Sequence, residues 1–398
     1  MTRSLSVWKP VYIITPKAAR TLMEIEAART EVDGIPLPPT VEAELRRQAR
    51  TRSTHYSTRI EGNRLTLLEA EKVIQGAKTE FRGRERDVRE VRNYWIALLR
   101  VEEWASARKP VSEVMIRRLH ALVERGPRSK PTPYRDSQNV IRDSASGSIV
   151  YMPPEAHDVP GLMAAMVRWI KEAGNMGVPV PLIAGLAHYQ FVTIHPFYDG
   201  NGRTARLLAT YLLHVGGYGM NGLFSLEEHH ARDLPGYYSA LAVHPHHNYY
   251  EGRADADLTP WVEYFLATLA ETFESVRNEA RRLAAEGVPA EPEPLRALDR
   301  RARIVLGLFA KIPRISSQEV AAALGLSERM ARVLLTKWVE DGWLIVADPS
   351  RRKRAYELTA IYRQYIGDLS AMQGETTNRP RKKRQKNDSA AGWQGEMN

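Results

Sequence analysis

The chain has 398 residues, 43% of them hydrophobic and 26% charged, which is too long for one ordinary core and points to two or three domains. With no cysteine, it cannot form disulfides, thiolate metal sites, iron–sulfur clusters or a cysteine nucleophile, whereas 11 histidines leave acid–base chemistry open. The formal net charge of +10 is uneven: residues 297–370 carry 13 Lys and Arg against 8 Asp and Glu, residues 371–398 carry 6 against 3, and the first 296 residues hold the remaining +2. A contact with a polyanion is therefore expected of a C-terminal module and not of the body.

No run approaches the roughly 18 consecutive apolar residues of a membrane span, and residues 1–9 lack the apolar centre of a signal peptide, so a soluble, cytoplasmic chain with no membrane partner is expected. In chain order, residues 8–16 read as extended and helical periodicity predicts helices over 17–31 and 41–61, separated by the Pro-rich break at 35–39. Further helices are predicted over 65–75, 87–108, 112–124, 159–172, 182–194, 201–214 and 259–285. The apolar stripe through Ile183, Leu186, Ala187 and Gln190 is ordinary core packing. The runs 140–142 and 149–152 flank Asp143-Ser-Ala-Ser-Gly-Ser and predict one hairpin in a helical body.

The Pro-rich stretch 287–296 reads as a stiff, extended linker. Beyond it, helices over 301–311, 317–324 and 328–341, with Gly325 at the tight connection and Ser327 as a cap, precede strands at 343–347 and 355–358. Three helices and a hairpin with a basic tip resemble a winged helix-turn-helix. Arg329, Arg332 and Lys337 could reach DNA phosphates, with the basic run 351–354 on the wing, or the same face could be a protein contact or homodimer surface. Residues 370–398 are too polar to bury and are expected to be disordered.

The densest chemistry lies at His195-Pro-Phe-Tyr-Asp-Gly-Asn-Gly-Arg-Thr-Ala-Arg206. One predicted helix ends just before it and another begins inside it, so a loop aims its groups at a helix N-terminus, where unpaired N–H groups and the macrodipole favour an anion. Gly200 and Gly202 allow close approach of a phosphate, Arg203 and Arg206 are three apart and so share a helix face beside one pocket, Asp199 is a hard oxygen ligand suited to Mg²⁺, and His195 suits a base. A dinucleotide fingerprint would need a buried strand before the glycines, and here a helix and a proline precede them. Of the other histidines, His229-His230 and His244-Pro-His-His247 lack a carboxylate at ligand spacing, and the latter reads as a solvated loop.

The run matches the Fic family signature His-x-Phe-x-Asp/Glu-Gly-Asn-Gly-Arg-x-x-Arg without departure. Pro133-Tyr-Arg resembles the family segment leading into a hairpin flap, and Tyr237-Tyr-Ser-Ala-Leu resembles its nucleobase-side element. The resemblance implies a mainly α fold, a Fic-type helical bundle with a β-hairpin flap, over 86–286, preceded by an N-terminal region at 1–85 and followed by the winged helix at 297–369. It implies transfer of AMP from ATP to a Ser, Thr or Tyr hydroxyl of a target protein, with self-modification. By it His195 would be the base, Phe197 the loop's anchor, Asp199 the Mg²⁺ ligand, and Gly200, Asn201, Gly202, Arg203 and Arg206 the phosphate site. Tyr237 and Tyr238 would lie at the base, while Val140, Ile141, Val150 and Tyr151 would form the flap that takes an extended target segment as an added strand. Relatives that phosphorylate carry a lysine where Gly202 stands, which favours nucleotidyl transfer. Ser57-Thr-Arg-Ile-Glu61-Gly62 resembles the family's inhibitory motif, with Glu61 directed at Arg206; such a site could also remove AMP. The competing class is a DNA-binding regulator whose nucleotide site acts as a sensor.

Overall fold

Thr15 accepts a hydrogen bond from the Ala18 N–H and Pro16 opens the helix that follows, which fixes the start of α1 at Pro16–Gly34. The computed structural model describes residues 7–76, 81–142, 146–285, 293–296, 298–309, 312–350 and 354–363. After the proline break come α2 (Pro39–Ile60) and α3 (Leu67–Ile74), the latter opened by a reciprocal Thr66–Glu69 capping box. Next are α4 (Glu85–Ser106) and α5 (Glu113–Arg125), which ends at Gly126 with φ 84°, a conformation costly for a residue with a Cβ.

The predicted hairpin forms from β1 (Ile141–Arg142) and β2 (Ile149–Tyr151), antiparallel, with Ile141 opposite Tyr151 and a bulge before Arg142. Then follow α6 (Val159–Asn175), α7 (Val180–Ile194) and α8 (Asn201–Val215). Pro181–Gln190 of α7 is buried on all sides, as a helix apolar around its whole circumference must be, and α7 lies against α6, α8 and the long α11 (Thr259–Ala285). Helices α9 (Leu226–Arg232) and α10 (Leu234–Leu241) escaped the sequence reading, because about two turns give too little periodicity to see. The N-terminal extended segment is tied to the start of α11, where Leu258 N–H donates to Val11 O at 2.7 Å. No helix among the described residues is long and apolar enough to cross a membrane.

A second buried apolar set, including Leu295, Val305, Leu335, Trp338, Trp343 and Tyr356, belongs to the C-terminal module. It comprises α12 (Glu293–Arg296), α13 (Arg300–Leu308), α14 (Ser317–Leu324), α15 (Glu328–Glu340), β3 (Leu344–Asp348), β4 (Ala355–Leu358) and α16 (Ala360–Arg363). The end of the expected linker is thus corrected: Glu293–Arg296 is helical, because Leu295 is buried in this core and anchors the turn. The tip of the basic hairpin at 351–353, the flap turn at 143–145, the linker residues 286–292 and the tail expected to be disordered lie outside the described residues.

Candidate active site

Helix α7 stops because His195 adopts φ 51° and ψ 60°, a left-handed conformation that turns the chain out of the helix. Phe197 dives back into the core, stacked on His120 of α5 with ring centroids 3.7 Å apart. Asn201 then locks the turn: its side chain accepts from Phe197 N–H at 3.0 Å and donates to Phe197 O at 2.8 Å. That side chain is therefore committed to the loop, and only the Asn201 backbone can face an anion. Gly200, at φ 75°, starts α8, and its Cα is so close to Glu124 that a Cβ there would collide with the carboxylate.

His195 Nδ1 lies 3.3 Å from Val192 O, so it carries the proton and leaves Nε2 as the open lone pair. Burial is the main cause that pushes its pKa down to about 4. Arg135, itself buried, braces the loop from outside: its Nε donates to His195 O at 3.0 Å, its backbone N–H to Pro196 O at 2.9 Å and its guanidinium also to Pro154 O beyond the hairpin.

Arg206 and Arg203 do not stand side by side at one pocket as expected. Arg206, 2% exposed, turns toward α2: Nε donates to Ser57 Oγ at 2.8 Å, and Nη2 donates to Ser57 O at 2.9 Å and to Glu61 Oε1 at 2.8 Å. Arg203, equally buried, lies on the α4 and α5 side, with Nη2 at 2.8 Å from Glu124 and 3.4 Å from Asp199 Oδ1 of the loop, and Nη1 at 3.8 Å from Glu90. Three-residue spacing puts two Cβ atoms on one helix face, but long side chains follow the carboxylates they meet. Burial works against the charge on Arg206; Glu61 and the neighbouring tyrosine hydroxyls outweigh it and hold the guanidinium above its ordinary pKa.

Glu61 caps the C-terminal end of α2, where the dipole disfavours a carboxylate, and Gly62 follows at φ 88°. Its Oε1 lies so close over Gly202 that a Cβ at that position would strike it. A carboxylate therefore sits against the first turn of α8, in the place an anion would take. Asp199 is 59% exposed on its side chain; its Oδ1 accepts from Gly200 N–H at 2.6 Å, and Oδ2 lies 3.6 Å from Arg86 of α4. Among the described residues there is no group of three His, Asp or Glu able to hold a metal by themselves.

Tyr237 and Tyr238 part company. The first is 2% exposed and packs on His230, with its hydroxyl 3.2 Å from His188 Nε2; the second is 50% exposed, and its hydroxyl reaches Ile60 O at 3.5 Å. Tyr238 thus presents the accessible ring. On the hairpin, Tyr151 is buried and donates to Thr193 O at 2.7 Å, while Val150 is exposed. The segment read as a solvated histidine loop is an exposed loop at 245–247, and it also docks on the hairpin: His247 Nδ1 meets Val150 O at 3.1 Å, Met152 N–H donates to His247 O and Tyr249 N–H to Met152 O. The neighbours that sequence reasoning did not name, His120, Glu90, Glu124 and Arg86, come from α4 and α5, more than 70 residues away from the motif, and carry no local spacing signal.

Three histidines, His120 and His188 buried and His195 half-buried, share one direction of shift, with burial the leading cause: His120 and His195 fall to about 4 and His188 to about 3. In the unfolded chain each would protonate near 6.5, so the unfolded state takes up protons first. Their contribution is fully present above about pH 6.5 and is lost as pH falls toward 4. Urea midpoints should accordingly drop between pH 7 and pH 5, a window above the ordinary carboxylate range; equal midpoints at the two pH values would contradict the burial of these rings.

Residues 110–213 match the Fic/DOC family. Over 68 residues the chain is 44% identical to the protein adenylyltransferase Fic of Drosophila ananassae, a stretch that is 17% of this chain and 14% of that protein. The chain thus matches about a seventh of the length of these curated relatives. Its fold is similar to that of a Fic family protein from Desulfovibrio desulfuricans, with a TM-score of 0.56 and 27% identity over 89% of this chain and 99% of that one. A Fic domain containing signaling protein from Bacteroides thetaiotaomicron shares the fold at a TM-score of 0.57 and 24% identity, over 65% of this chain and 97% of that one. A mainly helical fold is what these proteins have in common with this one. Over residues 110–213 the chain is similar to the Fic/DOC family, and its fold is similar to that of the Desulfovibrio Fic family protein.

Proposed function

We propose that this protein transfers the AMP part of ATP to a hydroxyl side chain of a target protein and of itself, and that Glu61 holds the reaction off. The observation that carries this reading is the Glu61 carboxylate lying over Gly202 and paired with Arg206 at 2.8 Å, an acidic side chain occupying an anion site built at a helix N-terminus. In the reaction, His195 Nε2 takes the proton of the target hydroxyl, whose oxygen attacks the α-phosphorus. The bond from that phosphorus to the bridging oxygen of the β-phosphate breaks, and pyrophosphate leaves. The free backbone N–H groups at the start of α8 hold the phosphates, Arg206 holds the terminal ones once Glu61 withdraws, and the Tyr238 ring is available to the base.

Asp199 fits Mg²⁺: it is an exposed, hard carboxylate next to the phosphate site, and Mg²⁺ commonly takes one or two carboxylates together with substrate phosphates. When bound there it would neutralise phosphate charge. An extended target segment would pair with the hairpin, and since the 247–249 segment already covers β2 near Met152, the edge of β1 is the one on offer. Incubating a Glu61→Gly variant and lysate with ATP labelled on the α- or the γ-phosphate tests the proposal: label on protein from the α position alone supports AMP transfer, and no label from either defeats it.

A second activity is proposed for the C-terminal module on a separate observation. Ile315, just before α14, pairs with Tyr356 of β4 at N–H to O distances of 2.8 and 3.0 Å, and α15 packs on β3, which supports a winged-helix reading. Arg329 and Lys337 are exposed on α15, and Arg332, exposed too, is shared with Glu328. Duplex DNA is the polyanion that suits this face. Titration at about 50 mM salt should detect binding, and replacing Arg329, Arg332 and Arg352 by alanine should weaken it and flatten its logarithmic salt slope by up to about 3, near 0.9 per phosphate contact. Absence of binding at low salt would assign the module to protein contact.

A further inference from the structure

Helix α2 does not fray at its end. The Gly62 N–H donates to Arg59 O at 2.9 Å and the Asn63 N–H to Thr58 O at 3.1 Å, the two bonds of a Schellman turn, with Glu61 as the residue just before the left-handed Gly62. Such a turn often ends on an apolar residue packed back on its own helix. Here it ends on an asparagine that is 6% exposed, and every polar group of that side chain is used. Asn63 Nδ2 donates to Asp87 O at 3.0 Å and to Glu90 Oε2 at 3.1 Å, both on α4, while Oδ1 accepts from Leu65 N–H at 3.1 Å.

Glu90 is itself fixed from other sides. Its Oε1 accepts from Arg86 Nε at 2.8 Å and lies 3.8 Å from Arg203 Nη1 on α8. Because α4 packs along α8, Asn63 ties the end of α2 to the same frame that carries Gly202. Two neighbours of Asn63 also meet α4, but neither directs the turn. Leu65 is buried with Val91, an apolar contact without direction, and Arg64 pairs with Asp87 at 3.1 Å from an exposed position, where an ion pair contributes little. We propose that Asn63 is the latch of the inhibited state: its amide, held on α4 by Asp87 and Glu90, fixes the turn that sets Glu61 over Gly202, and Glu61 withdraws when this hold is released. The proposal rests on the reading of Glu61 as the inhibitory group. Asn63 faces α4 and not the space over Gly202, which makes it a positioning residue.

Inhibition is read as a ratio in the full-length protein: transfer of α-labelled phosphate with Glu61→Gly over transfer with Glu61 retained, every other position being the same in both. With Asn63 in place the ratio should be about a hundred. Asn63→Ala should lower it about tenfold, the effect of losing a hydrogen bond to a charged group, by raising transfer only where Glu61 is present. Asn63→Asp keeps the size of the side chain and the acceptor for Leu65 N–H but sets a carboxylate against Glu90, and should lower the ratio at least as far. Adding Glu90→Gln to Asn63→Asp offers that carboxylate an amide donor and should recover most of the ratio. A ratio that keeps its parental value in both Asn63→Ala and Asn63→Asp, or a change in transfer of equal size with and without Glu61, would overturn the latch. If the ratio is already one with Asn63 in place, the reading of Glu61 itself fails and the latch with it, so the two failures are told apart.

Discussion

Glu61→Gly should raise transfer of α-labelled phosphate to protein, including self-modification, by roughly a hundredfold over the unaltered chain. Two physical effects add up at this residue. Its carboxylate fills the space over Gly202, and it occupies Arg206, the cation that would otherwise hold the terminal phosphates. ATP that enters beside Glu61 must place its phosphate chain elsewhere, and a displacement of the reacting atoms by about 1 Å can cost on the order of a hundredfold in rate. Glu61→Gln separates the two effects, because it keeps the bulk and removes the charge, and should fall between. Arg206→Ala should not imitate Glu61→Gly, since it releases Glu61 and destroys the phosphate anchor together, and the double variant should behave as Arg206→Ala alone. An unchanged rate for Glu61→Gly at saturating Mg²⁺ and ATP would reduce residues 57–62 to a capped helix end.

Why the histidine loop could be read from the sequence while its surroundings could not is a matter of contact distance along the chain. His195, Phe197, Gly200 and Gly202 work through one turn and one helix start, so the residue types and their spacing nearly define the geometry. Glu61 and Arg206 are 145 residues apart, and only the family resemblance could pair them; the salt bridge places them together at 2.8 Å. Where local spacing was extended into space it misled. Arg203 and Arg206 diverge because Glu90 and Glu124 lie on one side of α8 and Ser57 and Glu61 on the other elements it packs with, and no rule of helix periodicity contains that information. In the pair Tyr237 and Tyr238, the facing of a short helix decides which ring is buried, and α10 is too brief to show its inner face as a pattern.

His195→Asn should abolish transfer, by a factor on the order of a hundred to ten thousand, and leave nucleotide binding close to that of its parent. Asparagine is the informative replacement because position 195 sits at φ 51°, a left-handed conformation that asparagine tolerates better than alanine, so the loop can keep its shape without a base. The binding site should survive because the imidazole is held at the end of α7, Nδ1 on Val192 O, whereas the proposed phosphate site lies at the start of α8. The same burial sets the pH dependence. With the His195 pKa pushed down to about 4, the base stays neutral through the whole range from pH 7 to pH 5, and transfer by the Glu61→Gly protein should fall off only as pH approaches 4. Glu61 is among the groups that raise the His195 pKa, so its removal moves that fall further toward acid, not toward neutrality. An acid limb centred near 6.5 would mean a solvated imidazole, and near-parental transfer by His195→Asn would mean that the proton of the target hydroxyl leaves by another route.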